Sequence, residues 1–223
     1  MLPVFAGSRR VIAVEEQAHG RTTDRNAPVA FESSADDVAA LLRYLQVDRA
    51  DIFGFSNGAN IALQVAIRHP QLVRRMVFAS SITKRAGAQP QLWEFMEQAD
   101  FSNMPQPLKD AFLRVNPNVQ QLKTMHDKDA ARMLSFKDIP DDSVRSVRAP
   151  TLIVLGDQDI VRAEHAVELT RLISGARLLI LPGGHGDYLG EAVMTQTHTR
   201  YPELAARLID EFLDSELSVH KEK

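Results

Sequence analysis

Cysteine is absent from all 223 residues. That excludes disulfides, thiolate metal sites and a thiol nucleophile, and it agrees with a reducing compartment, so the cytoplasm is the expected location. Long apolar runs are also missing. No stretch reaches membrane-spanning length, and Met1 to Arg10 lacks the basic start and apolar core of an export signal, so no membrane association is expected. Excess charge of one sign is missing too: the net charge of -3 gives no general attraction to nucleic acid or to an anionic surface, which leaves a small diffusible molecule as the expected partner. There is no internal repeat, low-complexity tract or interdomain linker. A chain of this length that is 44% hydrophobic and 25% charged predicts one globular domain with a sizeable core.

What is present is an alternation of short β-branched runs with helical stretches. Arg10 to Val14, Asp51 to Phe55, Met76 to Ala79, Thr151 to Leu155 and Leu178 to Leu181 read as buried strands. Ser34 followed by Asp37 predicts a capping-box helix start, with Val38, Leu41, Leu42 and Leu45 on one face. Further helices are expected at Asn60 to Arg68, ended by Pro70, at Ala163 to Ile173 and at Glu203 to Leu217. Parallel strands need crossover connections, so the alternation predicts an α/β fold with a mostly parallel sheet and helices on both faces. From about 82 to 147 the rhythm stops. Gln91 to Glu97, Pro107 to Val115, Val119 to Met125 and Asp129 to Phe136 read as short helices, a predicted helical cap inserted into the sheet domain.

Gly54-Phe55-Ser56-Asn57-Gly58 matches G-x-S-x-G between a predicted strand and a predicted helix, the setting of a nucleophile elbow. In so tight a turn the serine is strained and lifted out of the sheet, and side chains in place of the glycines are expected to collide with neighbouring elements. The helix N-terminus would bring unpaired N–H groups near a developing oxyanion, with the Asn57 N–H as the natural donor. Roughly one chain in fifteen of this length would carry such a pentapeptide by chance. A serine hydroxyl also needs a base and an orienting carboxylate. Asp157 and Asp159 follow the run at Thr151 to Leu155, and His185 follows the run at Leu178 to Leu181, so all three loops fall at strand carboxyl ends.

With Ser56, Asp159 and His185 in that order, the chain resembles the α/β-hydrolase family over nearly all its length, especially small capped esterases, lactonases and haloperoxidase-like members. The resemblance implies a serine hydrolase of the carboxylesterase kind without a cofactor, acting on a small ester or lactone. It makes Ser56 the nucleophile, His185 the base and Asp159 the acid, with Asp157 as the alternative acid. It also implies that the strand ending in a His-Gly oxyanion loop is missing. Residues 1 to 9 would then be the tail of the helix after that loop, Met1 an internal methionine of a longer protein, and the sheet short of a central strand unless the runs at Val11 and Ile52 pair directly. Loss of one oxyanion donor costs about 100 to 1,000-fold in turnover. An open strand edge could also recruit a second copy, making a homo-oligomer one expectation.

Competing readings are ordinary ones. Ser56 could sit in a simple tight turn, and Asp157 and Asp159 could satisfy loop N–H groups. His185-Gly186-Asp187 offers two metal ligands without a third at convincing spacing, so no metal is expected. His19, His69, His126, His165, His198 and His220 suit surface or helix-end positions. Trp93, Phe95 and Met96 in the cap are candidates for an acyl pocket or for plain packing.

Overall fold

The computed structural model describes residues 1–191 and 199–215. After a short helix α1 (Leu2–Ala6) and an irregular stretch comes α2 (Phe31–Tyr44), followed by β1 (Ala50–Phe55), α3 (Asn57–Arg68) and β2 (Val73–Ala79). Four helices then succeed one another, α4 (Pro90–Glu97), α5 (Gln106–Val115), α6 (Val119–Leu134) and α7 (Asp141–Arg145). The chain returns through β3 (Thr151–Gly156), α8 (Ala163–Leu172), β4 (Arg177–Leu181) and α9 (Tyr201–Asp214). The four strands form one parallel sheet in the order β1-β2-β3-β4.

Two-residue periodicity sorts each central strand between two cores. Met76 and Phe78 of β2 and Ile153 and Leu155 of β3 face a cluster with Ala59, Leu63 and Ala66 of α3 and Ala166 and Leu169 of α8. Their neighbours Val77, Ala79, Leu152 and Val154 face the opposite cluster, closed by Ala205, Ile209 and Phe212 of α9 with Met1 and Phe5 from the α1 region. Arg9 fastens that N-terminal segment to α9 through Asp210 at 3.0 Å and Asp214 at 2.6 Å. Both faces of the sheet are therefore covered, as the strand and helix alternation requires.

Three local expectations are overturned. Arg10 to Val14 is not a strand: among the described residues β1 pairs only with β2. Without a ladder neighbour its β-branched residues have nothing to pair against, and Val11 and Val14 remain exposed while Ile12 alone packs, on Ala39, Leu42 and Leu72. The runs at Val11 and Ile52 do not pair directly. Helix α2 begins at Phe31 with Ala30 as an extended N-cap, so Ser34 is not its cap. Ser34 is buried inside the helix and donates instead to Glu16 Oε2 at 2.7 Å. The two helices expected at Val119 to Met125 and Asp129 to Phe136 are one, α6, because nothing between them breaks the helix and Lys123 pairs with Asp127 across one turn. The final residues of the helix expected to reach Leu217 lie outside the described residues.

Candidate active site

Ser56 stands between β1 and α3 with φ 53° and ψ -122°, a conformation that L side chains rarely adopt. Its N–H is held by the carbonyl of Ala79 at the end of β2, at 2.9 Å. The two glycines of the motif differ in purpose. A Cβ on Gly54 would lie 2.1 Å from the carbonyl oxygen of Gly58 and 2.6 Å from the Cα of Ala59, so the strand and helix backbones meet only because that position is bare. A Cβ on Gly58 would meet nothing within 4 Å. The expected collision therefore holds for the first glycine and not for the second. Asn57 and Gly58 occupy the first two positions of α3, where helix geometry supplies no acceptor for their N–H groups.

His185 follows β4 in a loop where two glycines adopt positive φ, 120° at Gly183 and 86° at Gly186. These let the backbone turn back across the end of β3. The imidazole lies against Phe55, with centroids 4.8 Å apart. Its Nε2 is 3.1 Å from Ser56 Oγ, and its Nδ1 is 2.8 Å from Asp159 Oδ1. Of the two candidate acids, Asp159 makes this contact. Asp157 is exposed and accepts from the Gly183 N–H at 2.9 Å, bracing the loop.

The Asp159 side chain is wholly buried. Burial pushes its pKa up, but the hydrogen bond and charge of His185, the Ser80 hydroxyl and the Val161 N–H outweigh it and hold the carboxyl below its ordinary value. Oδ2 accepts from Ser80 Oγ at 2.5 Å and from the Gly156 N–H at 3.3 Å, while Oδ1 also accepts from the Val161 N–H at 3.2 Å. Ser80 and Tyr188 were not foreseen from the sequence. Their only signal was position: one follows β2, the other lies three residues beyond His185. Chemically, the arrangement can pass a proton from a serine hydroxyl to an imidazole whose far side rests on an anionic carboxylate.

The other candidates fall elsewhere. Trp93 is half-buried, donating from Nε1 to the Arg85 carbonyl at 3.0 Å and stacking on Phe136, with the Arg85 guanidinium 3.7 Å over its ring. Phe95 is 52% exposed and Met96 partly so, and the described contacts join none of the three to Ser56 or His185. His165 stands at a helix end, in the first turn of α8, but buried rather than exposed. Its Nε2 accepts from the Thr83 N–H at 3.0 Å, which leaves the Nδ1 proton for Glu168 at 3.2 Å. A cavity of about 200 Å³ beside it, lined by Lys84, Gly87 and Arg162, is not lined by Ser56, Asp159 or His185. Glu16, His19 and Asp129 bring three potential metal ligands together, but Arg132 lies among them, bonded to both carboxylates, and already supplies the positive charge.

The sequence pattern of the α/β-hydrolase fold family matches residues 1–119, so the chain belongs to that family. Among its relatives is the serine hydrolase BPHL of Mus musculus, 26% identical over 212 residues, covering 91% of this chain and 69% of that protein. Its human namesake is covered over 65% of its length. A pimeloyl-[acyl-carrier protein] methyl ester esterase of Neisseria meningitidis is 26% identical over 217 residues, covering 86% of this chain and 82% of the esterase. The crystal structure of a hydrolase from Pseudomonas aeruginosa PA01 superposes with a TM-score of 0.71 at 22% identity, covering 96% of this chain and 83% of the other. No described helix is long and apolar enough to cross a membrane.

Proposed function

We propose that the chain hydrolyses a small carboxylic ester through an acyl-Ser56 intermediate. The observation that carries this reading is the unbroken line from Ser56 Oγ through His185, 3.1 Å on one side and 2.8 Å on the other, to a buried carboxylate. His185 Nε2 takes the hydroxyl proton as Oγ attacks the carbonyl carbon, and the proton then passes to the leaving alkoxide. Asp159 keeps the other imidazole proton on Nδ1 and balances the imidazolium. Water, deprotonated by the same Nε2, releases the acid and restores the serine. The Asn57 N–H, at the positive end of α3, is the proposed donor to the oxyanion. Helices α4 to α7 are proposed to cap the site and to select the acyl group. The names of the serine hydrolase and esterase relatives support the same chemical class.

The test is a panel of p-nitrophenyl esters and lactones, together with labelling by a fluorophosphonate probe, on the wild type and Ser56→Ala. Turnover and labelling that both disappear in Ser56→Ala are expected. Equal turnover by the two proteins on every substrate would defeat the proposal.

A further inference from the structure

Asp159 is anchored from behind by a buried chain of hydroxyl groups. Ser80 Oγ lies 2.5 Å from Asp159 Oδ2 and 2.7 Å from Tyr188 Oη, and Tyr188 Oη lies 3.4 Å from the carbonyl oxygen of Val154. Tyr188 is completely buried and Ser80 is 2% exposed. Proton counting gives every bond a direction. The ionised carboxylate only accepts, so the single Ser80 proton goes to Asp159. The Ser80 oxygen then accepts the single Tyr188 proton, because the much longer approach to the Val154 carbonyl is the weaker claim on it. A one-way chain results, Tyr188 to Ser80 to Asp159, in which each donor polarises the next.

The backbone is bent to make this possible. Ser80 has φ +48°, a left-handed conformation that a serine adopts only at a cost, and it does so immediately after β2 with its N–H held by the Val154 carbonyl at 2.8 Å. A phenol this deep has no other described partner, and burial pushes its pKa well above the ordinary tyrosine value, so it remains a donor at all working pH. Hydrogen bonds hold both oxygens of the carboxylate. If Ser80 lost its hydroxyl, Oδ2 would keep only the Gly156 N–H at 3.3 Å and the carboxylate could turn about its own axis.

We infer that Ser80 and Tyr188 are positioning residues that set the rotation and charge of Asp159 and, through it, the imidazole of His185. This rests on the hydrolase reading above for its effect on turnover, but the network itself does not. Neither residue touches substrate. Removal of the Ser80 hydroxyl leaves more negative charge on the oxygen facing His185 and makes Asp159 easier to protonate. Both effects move the acid limb of the kcat/KM profile toward higher pH.

The experiment compares wild type, Ser80→Ala, Tyr188→Phe and the double variant. The active fraction of each is counted with a fluorophosphonate, and the His185 Nδ1 proton is followed by NMR. For Ser80→Ala we expect kcat per active site to fall about 10 to 100-fold, as for the loss of one hydrogen bond to a charged group, with KM little changed. The acid limb moves upward and the Nδ1 proton resonance shifts. Tyr188→Phe should show a smaller effect in the same direction. The double variant should be no worse than Ser80→Ala, because the tyrosine acts only through the serine. Additive losses, or an unmoved acid limb and an unshifted Nδ1 resonance in Ser80→Ala, would overturn the inference. The resonance needs no turnover, so a wild type without Ser56-dependent hydrolysis would defeat the proposed function and still leave the network tested.

Discussion

Replacing Gly54 with alanine isolates the steric demand of the elbow. The added carbon would sit 2.1 Å from the Gly58 carbonyl oxygen, 2.4 Å from its carbonyl carbon and 2.6 Å from the Cα of Ala59, all backbone atoms that no rotamer change can withdraw. Overpacking a buried site costs about 1–3 kcal/mol and occasionally more. Here β1 and α3 must separate as units, which places the cost at about 3 kcal/mol or above. That is a large part of the roughly 5–15 kcal/mol by which domains are stable. In a chain of this size it lowers Tm by about 6–12 °C. Gly58→Ala is the matched control. Its Cβ meets nothing, and a helical glycine replaced by alanine gains about 0.4–1 kcal/mol through the unfolded chain. Thermal and urea denaturation should therefore show midpoints displaced in opposite directions from wild type, downward in Gly54→Ala and upward in Gly58→Ala. Equal midpoints for the two variants would refute the assignment of the steric requirement to the first glycine alone.

Asp159→Asn should lower kcat by about 10,000-fold, as when the orienting acid of such a triad is neutralised, whereas Asp157→Asn, which still accepts from Gly183, should leave steady-state turnover near wild type. Ser56→Gly should abolish hydrolysis and raise stability by about 1 kcal/mol in denaturant titration, because glycine relieves the backbone at φ 53°. Burial lowers the pKa of His19, but the hydrogen bond and charge of Asp129, the Gln17 carbonyl and Glu16 outweigh it and leave the folded value raised. Its stabilisation is thus complete below the unfolded value of about 6.5 and is lost as pH rises through the folded value. Urea titrations from pH 6 to about 9 should show a decline in wild type that His19→Gln lacks. Arg132, only 3% exposed and bonded to Glu16 and Asp129, should cost about 3–5 kcal/mol when replaced by methionine, since two carboxylates lose their counter-charge; chemical denaturation measures it.

The candidate site was legible because each of its parts stands at the end of a strongly patterned element. Ser56, Asp159 and His185 follow β1, β3 and β4, and a parallel sheet delivers all strand carboxyl ends to one edge. Legibility ended where partners come from distant parts of the chain. Nothing near Ser80 in the sequence announces Asp159, 79 residues away, or Tyr188, 108 residues away. His165 reads like any histidine on a helix until Thr83 and Glu168 close around it.

Local chemistry, then, dictated four of the five expected strands, most of the helices and the chain order of the three proposed catalytic side chains, because hydrophobic period and glycine placement act over a few residues. It could not make a strand of Arg10 to Val14. A β-branched run becomes a strand only when a neighbour shares its hydrogen bonds, and among the described residues β1 pairs with β2 alone. Between Asp157 and Asp159, two residues apart in one loop, local composition gives no preference, and only the family resemblance favours Asp159. Tertiary packing separates the two, leaving Asp157 in solvent against the Gly183 N–H and enclosing Asp159 beneath His185. Only there do the buried hydroxyls of Ser80 and Tyr188 have an anion to serve.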